Sequence, residues 1–438
     1  MGIKKNISIF ICLFLVCLGC SKAPESSTAN PSTSGIKLYG DRYGEILRSF
    51  EETADGGYMF GGYTSTSANQ GQQGFIQKCD KNGNLAWYKN YGGVYQDVFQ
   101  VVRSTSDGGF IAAGSSNSFA ANNNFTQAGY LVKTNSYGNL IWQKPFANKY
   151  TLEFYDVTET PDNGFVAVGF VYAPIGMDDP VYIVKTDQNG DSLWGHQIIL
   201  PKNQSLGASL AVGPNGEIAV AGLAERDDSG SVNYPTFTYF SPTGTKKLQK
   251  TYTNFGSLPW VNNGNNGTTA WDYLSTTPSN FEKIVSRPDG FIFIMLSAPQ
   301  DLPSYPPCAT CGICLSMTIF KIDFNGNILW HNSFPGMGNG VTFNDAINNQ
   351  NGGLLVSGSA MDGSGNSTCW ILNTDANGNK TQESFTEVNG STSQAVGAAN
   401  IGNSFVLGVN SQPLLLNSVG FFGFLTTDQN GKIIDESK

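Results

Sequence analysis

The sequence predicts an all-β chain folded as a seven-bladed β-propeller, and three observations carry that prediction. A turn–strand–loop–strand–turn–strand unit recurs seven times along 438 residues. Its tight turns are rich in Asn-Gly and Asp-Gly, the strongest short-range signal for a hairpin. The composition suits short strands joined by turns rather than long helices: Gly is 52 and charged residues are 13%, about half the usual share. A period near 50 with four short strands per unit is the signature of a propeller blade.

Two anchors define the unit. One is a turn leading into a strand, as in Asp55-Gly-Gly, Asp107-Gly-Gly and Asp162-Asn-Gly, each followed by an apolar run. The other is a hairpin such as Asp80-Lys-Asn-Gly-Asn-Leu-Ala-Trp87, whose glycine returns at Gly138, Gly190, Gly244, Gly326, Gly378 and Gly431. Most gaps between these glycines are 52 to 55 residues; the gap from Gly244 to Gly326 is 82. Asn-Gly turns predict positive φ at both turn positions, with the preceding Asp or Asn capping the turn through its side chain. In the second repeat the strands read as A (Phe99–Val102), B (Phe110–Gly114), C (Tyr130–Thr134) and D (Leu140–Lys144). Trp87, Trp142, Trp194 and Trp330 hold one place in their D strands, as packing residues would.

The last repeat stops just after its hairpin, whereas Ile36–Gly40 precedes the first. Tyr39-Gly40 matches Tyr91-Gly92 at the end of a D strand. The N-terminal strand is therefore expected to close the last blade, which leaves no open sheet edge between the two ends. The propeller then spans residues 36–438, with insertions at 253–281 and 299–314 in the fifth repeat.

Lys4 and Lys5 precede an apolar run from Ile7 to Leu18, of signal-peptide length and too short for a comfortable membrane span. It ends in Cys17-Leu-Gly-Cys20, which resembles a bacterial lipoprotein signal. That resemblance implies cleavage after residue 19 and lipidation of the Cys20 thiol, although Cys17 stands where such signals usually carry Leu. An ordinary secretory signal or a membrane anchor is the alternative. Several acyl chains on one residue give stable attachment where one chain is marginal. Ser21, with no Asp after the cysteine, favours an outer membrane, on its periplasmic side or at the cell surface. Residues 20–35 are Ser/Thr/Pro-rich and read as a flexible tether.

The chain carries −9; without Lys4 and Lys5 it has 23 basic against 34 acidic residues, or −11. No basic cluster lies in the body, which argues against nucleic acid as a partner. Both insertions fall on the face of the long B–C and D–A loops, opposite the short A–B and C–D turns. Trp260, Trp271 and Tyr273 of the first insertion are ligand-binding candidates, since aromatic platforms among amides suit a sugar ring or a protein. They could equally staple the loop to its own domain. Cys308, Cys311 and Cys314, with Cys369, have the spacing of a disulfide set or, alternatively, of a four-sulfur zinc site; an iron–sulfur reading is weaker. Cys79, within a strand, reads as a buried free thiol.

Catalytic signals are sparse. There are two histidines, His196 and His331, and no Gly-x-Ser-x-Gly, His-Glu-x-x-His or phosphate loop. The Asp-x-Asn-Gly hairpins lack the remaining ligands of a calcium loop. The hairpin repeat Asp-x-Asn-Gly-x-x-x-Trp resembles the blades of quinoprotein-like propellers, which include a lipoprotein scaffold of outer-membrane assembly. Related folds bind pyrroloquinoline quinone on the axis, but no residue here carries that role over. The expectation is a membrane-anchored binding or scaffold propeller that docks a protein or surface glycan through its long-loop face. The alternatives are a polysaccharide hydrolase or lyase with carboxylates or His at the axial mouth, and a structural envelope spacer.

Overall fold

A computed structural model describes residues 36–434, except 41–43, 65–70, 121–126, 147–148, 173–178, 200–208, 226–232, 253–281, 298–315, 335–338, 362–365, 389–390, 403 and 414–420. Twenty-eight strands, β1 to β28 in chain order, form seven antiparallel four-stranded sheets. From axis to rim the first is β2 (Ile46–Glu52), β3 (Tyr58–Thr64), β4 (Gln73–Cys79) and β5 (Leu85–Tyr91). The second is β6 (Asp97–Ser104), β7 (Phe110–Ser116), β8 (Ala128–Thr134) and β9 (Leu140–Phe146). The third runs β10 (Thr151–Glu159) to β13 (Ser192–Ile198), the fourth β14 (Ser209–Val212) to β17 (Lys246–Thr251), the fifth β18 (Glu282–Arg287) to β21 (Ile328–Phe334), and the sixth β22 (Asn339–Asn348) to β25 (Lys380–Thr386). The seventh is β26 (Ser391–Ile401), β27 (Ser404–Pro413), β28 (Phe421–Asp428) and, outermost, β1 (Ile36–Tyr39). The seven blades and the N-terminal closure are as the sequence predicts.

The closing strand reproduces an ordinary D strand in detail. Ile36 to Tyr39 pair with Leu425 to Phe422. The Tyr39 hydroxyl donates to the Gly83 carbonyl of the next blade, as Tyr91 does to Gly138 at 2.7 Å and Tyr252 to Gly326 at 3.0 Å. Middle strands such as β7 and β8 are buried at every position, so they read as continuous apolar runs rather than alternating ones. Their side chains fill the gaps between neighbouring sheets: Val166, Val168 and Ile183 of the third blade meet Leu210, Ile218 and Val220 of the fourth.

The D-strand tryptophans pack between blades. Trp87 lies against Gly138 of the following hairpin, where a Cβ would stand 2.7 Å from the ring, and its indole N–H donates to the Ser136 carbonyl at 3.1 Å. Trp142 meets Gly190 and Trp194 meets Gly244 in the same way, while in the fourth blade Leu248 takes the place against Gly326.

The hairpins differ from expectation in one respect. Gly83 and its six equivalents have positive φ, but the preceding Asn residues do not; among the described residues Asn163 alone is a non-glycine with positive φ. The Gly83 N–H donates to the Asp80 carbonyl and the Asp80 N–H to the Asn84 carbonyl, with a register shift just before the turn, between Lys78 and Cys79. That is a type I turn followed by a left-handed glycine and a bulge, the common three-residue hairpin, in which glycine alone needs positive φ. Capping holds: Asp80 Oδ1 accepts from the Asn82 and Asn84 N–H groups, both at 2.8 Å.

At the A–B turns a buried lysine from strand C meets the turn aspartate. Lys133 Nζ lies 2.8 Å from Asp107 and donates to the Thr134 carbonyl at 2.9 Å; Lys78–Asp55 and Lys185–Asp162 repeat the arrangement. Burial pushes the Asp107 carboxyl up, but bonds from Lys133, Thr105 and Gly109 outweigh it and hold it at about 2. A depressed carboxylate contributes stability above its unfolded value near 4, and that contribution is lost as pH falls through the folded value. The stability cost of Asp107→Asn, read from urea melts, is therefore expected to shrink between pH 5 and pH 2. It should stay below about 1 kcal/mol, because the carboxylate is half exposed and screened. A cost that grows on acidification would overturn this account.

Candidate functional site

The seven innermost strands meet at the axis, and five of them are deformed there. Register shifts in β2, β6, β10, β22 and β26 leave Arg48, Gln100, Tyr155, Asn344 and Val396 as bulged residues. All five line one narrow throat on the axis, around a void of about 10 Å³, the size of one water. A bulge re-aims side chains that simple alternation would turn away. Opposite four of the bulges the B strand carries Gly62, Gly114, Gly169 or Gly358, where a Cβ would come within 2.0 Å of an A-strand carbonyl oxygen. Strand β19 (Gly290–Ser297) of the fifth blade has no glycine at this place, and β18 pairs with it without a shift.

Immediately beyond the bulges lies a ring of four charges. Arg103 from β6, Asp156 from β10, Lys283 from β18 and Asp345 from β22 alternate in sign around the axis. The contacts are 3.5 Å from Arg103 to Asp156, 3.7 Å from Asp156 to Lys283, 3.0 Å from Lys283 to Asp345 and 3.9 Å from Asp345 back to Arg103. Ser209 donates to Asp156 at 2.9 Å. Burial pushes the Asp156 carboxyl up, but Lys283 and then Arg103 outweigh it and hold it below the ordinary range. The ring ties the second blade to the sixth and the third to the fifth, across the throat.

Above this floor the axis widens into a funnel of about 790 Å³ that opens on the short-turn face. Its wall combines apolar side chains (Val157, Leu210, Ile284, Ile347) with Ser106, Glu159, Asn163, Ser286 and Asn348. Glu51 stands beside the floor, its Oε2 accepting from the Ser104 N–H at 3.2 Å. Burial pushes the Glu51 carboxyl above the usual carboxylate range against the pull of Arg103. Glu159 accepts from the Ser106 N–H at 2.6 Å and from its hydroxyl at 2.8 Å.

Most residues singled out in the sequence fall elsewhere. Cys20, Trp260, Trp271, Tyr273, Cys308, Cys311 and Cys314 lie outside the described residues. Cys369 is fully buried between the sixth and seventh blades, against Phe405 and Leu407, and burial pushes its thiol up to about 12. Cys79 is the buried free thiol expected. His196 is a strand residue whose ring stacks on Phe240 at 5.7 Å and lies tilted against Trp194 at 5.2 Å. The ring residues were missed. Their signal is a polar residue that returns in the A strand at the repeat period: Arg103, Asp156 and the Asp156 partner Ser209 follow at intervals of 53.

No protein-family profile matches the chain, and no curated protein matches it. Among solved structures it is similar to the β-propeller domain of the Trilobed protease from Pyrococcus furiosus, at 10% identity over 91% of this chain and 99% of that one, with a TM-score of 0.48. It is also similar to a protein of unknown function from Dyadobacter fermentans (10% identity, 90% and 99% covered, TM-score 0.45) and one from Bacteroides caccae (13%, 70% and 88%, TM-score 0.37). These likenesses concern the fold alone.

Proposed function

We propose that the chain is a binding or scaffold propeller, anchored through lipidated Cys20 and the 20–35 tether to an outer membrane, on its periplasmic side or at the cell surface. The observation that carries a binding role is the blind axial funnel: the charges on its floor are committed to one another, and a concavity of about 790 Å³ stands open above them. The blade resemblance to quinoprotein-like propellers, a lipoprotein scaffold among them, supports the same reading. Docking of a protein or surface glycan through the long-loop face, at Trp260, Trp271 and Tyr273, rests on the sequence.

The test is a cross-linked pull-down of the tagged chain from whole cells, read by mass spectrometry, beside a variant lacking residues 256–280. A stoichiometric partner that the deletion loses is the expected result. A partner set untouched by the deletion would remove the long-loop face from the reading. One observation favours the hydrolase or lyase alternative: at the floor of the funnel Glu51 is pushed above the ordinary carboxylate range and Asp156 below it, the pattern of an acid and a base in one site. Polysaccharide turnover abolished by Glu51→Gln would decide for it.

A further inference from the structure

The charges of the funnel do not balance. Its floor is neutral, since Arg103 and Lys283 are each within 3.9 Å of Asp156 and Asp345. The other charged residues of the lining are Glu51 and Glu159. They accept hydrogen bonds from neutral donors, Ser104 and Ser106, and among the described residues neither has a cationic side chain within ion-pair distance; Glu51 feels Arg103 only from farther off, and Arg103 is already shared between Asp156 and Asp345. The lining thus carries two carboxylates in excess of its cations, facing a concavity whose wall is otherwise apolar, hydroxylic and amide, and Glu51 is half-buried there. Carboxylates removed from water without a countercharge are costly, and a cation entering the funnel relieves that cost. An anion would meet the opposite field, because the floor cations are already spent.

We infer that the funnel binds a peptide segment presenting a lysine or arginine side chain, with the ammonium or guanidinium between Glu51 and Glu159 and its apolar flanks against Val157, Leu210, Ile284 and Ile347. The volume is that of a site for a drug-sized ligand, well beyond a lone alkylammonium. This site lies on the short-turn face, whereas the docking reading above concerns the long-loop face, so it goes beyond that reading and stands or falls separately from it.

The probe is a dye-labelled, capped pentapeptide with lysine between valines, titrated by fluorescence anisotropy into the full chain purified in mild detergent. Controls carry norleucine or glutamate at the centre. Saturable binding of the lysine peptide is expected, at least about tenfold weaker with norleucine, lost with glutamate, and weakened by high salt. Glu51→Gln and Glu159→Gln should each weaken it, with melting curves confirming that the variants fold. Asn348→Trp, at an exposed wall position, should block it while leaving both carboxylates in place. Absence of saturable binding, equal affinity for the norleucine or glutamate peptide, or unchanged affinity in both Gln variants would overturn the proposal. Competition by free cadaverine at the lysine peptide's own affinity would overturn the peptide as ligand. The titration uses no membrane and no cellular partner, so its failure is separable from a failed pull-down.

Discussion

Replacing Asp156 by alanine is expected to destabilise the protein by about 3–5 kcal/mol, the cost of breaking a buried ion pair from one side. Opposite charges about 3.5 Å apart in an effective dielectric near 20 attract by roughly 5 kcal/mol, and desolvation of each ion costs several kcal/mol in return. The intact ring is therefore near break-even. Without Asp156, Lys283 keeps Asp345 at 3.0 Å, but Arg103 retains only its 3.9 Å contact to Asp345. The buried charge balance turns positive, and Ser209 loses its acceptor. Urea midpoints give the first check. The quadruple variant Arg103→Met, Asp156→Leu, Lys283→Met, Asp345→Leu gives the second: it should lose much less than Asp156→Ala, because no charge is stranded. If the quadruple variant lost several times more, the ring would be a net source of stability rather than a balanced plug.

Gly169→Ala is expected to cost about 3 kcal/mol, the upper end for overpacking a filled site. A Cβ there would stand 1.9 Å from the Glu153 carbonyl oxygen and 2.7 Å from the Phe154 Cα, so the backbone itself must move. Gly352→Ala is the contrasting control. Its φ is +75°, but the nearest atom to a new Cβ is the Ala376 Cβ at 3.6 Å, so only the left-handed backbone is strained, at about 1 kcal/mol. Equal losses at the two sites in thermal or urea unfolding would refute the close approach. The larger loss should come with a disturbed throat, because Gly169 faces the bulge that aims Tyr155 at the axis and sets Asp156 in the ring.

Blade number and strand order were legible because they rest on a local signal repeated seven times, the hairpin glycines: one error in reading would be corrected by six other copies. Closure rests on a single match, Tyr39-Gly40 with Tyr91-Gly92. The turn geometry was misjudged because Asn-Gly marks both a two-residue turn and a type I turn with a bulge, and only the φ of the Asn separates them. The B-strand glycines were visible, yet their reason was not. Gly114 and Gly169 look like weak strand residues until the carbonyls of Val98 and Glu153 are placed against them. The ring was hidden for a different reason. Arg103, Asp156, Lys283 and Asp345 each stand among other polar residues of their strand, such as Ser104, Glu153, Glu282 and Asn344, and the long fifth repeat breaks the 53-residue interval before Lys283. The funnel faces the short turns, where loop length draws no attention.

The pairing of β1 with β28 also sets an order of events in folding. Ile36 and Leu425 are separated by nearly the whole chain, and domains fold from the N-terminus as synthesis proceeds. The first strand to emerge is therefore the last to find its partner. Until the seventh blade exists, the rim hydrogen bonds of Ile36–Tyr39 have no acceptor and the disc stands open between its first and last blades. Closure is then a single long-range step, slow in the way that non-local strand pairing is slow. A protease present while the chain folds would meet the N-terminal segment before that latch engages and a sealed disc afterwards.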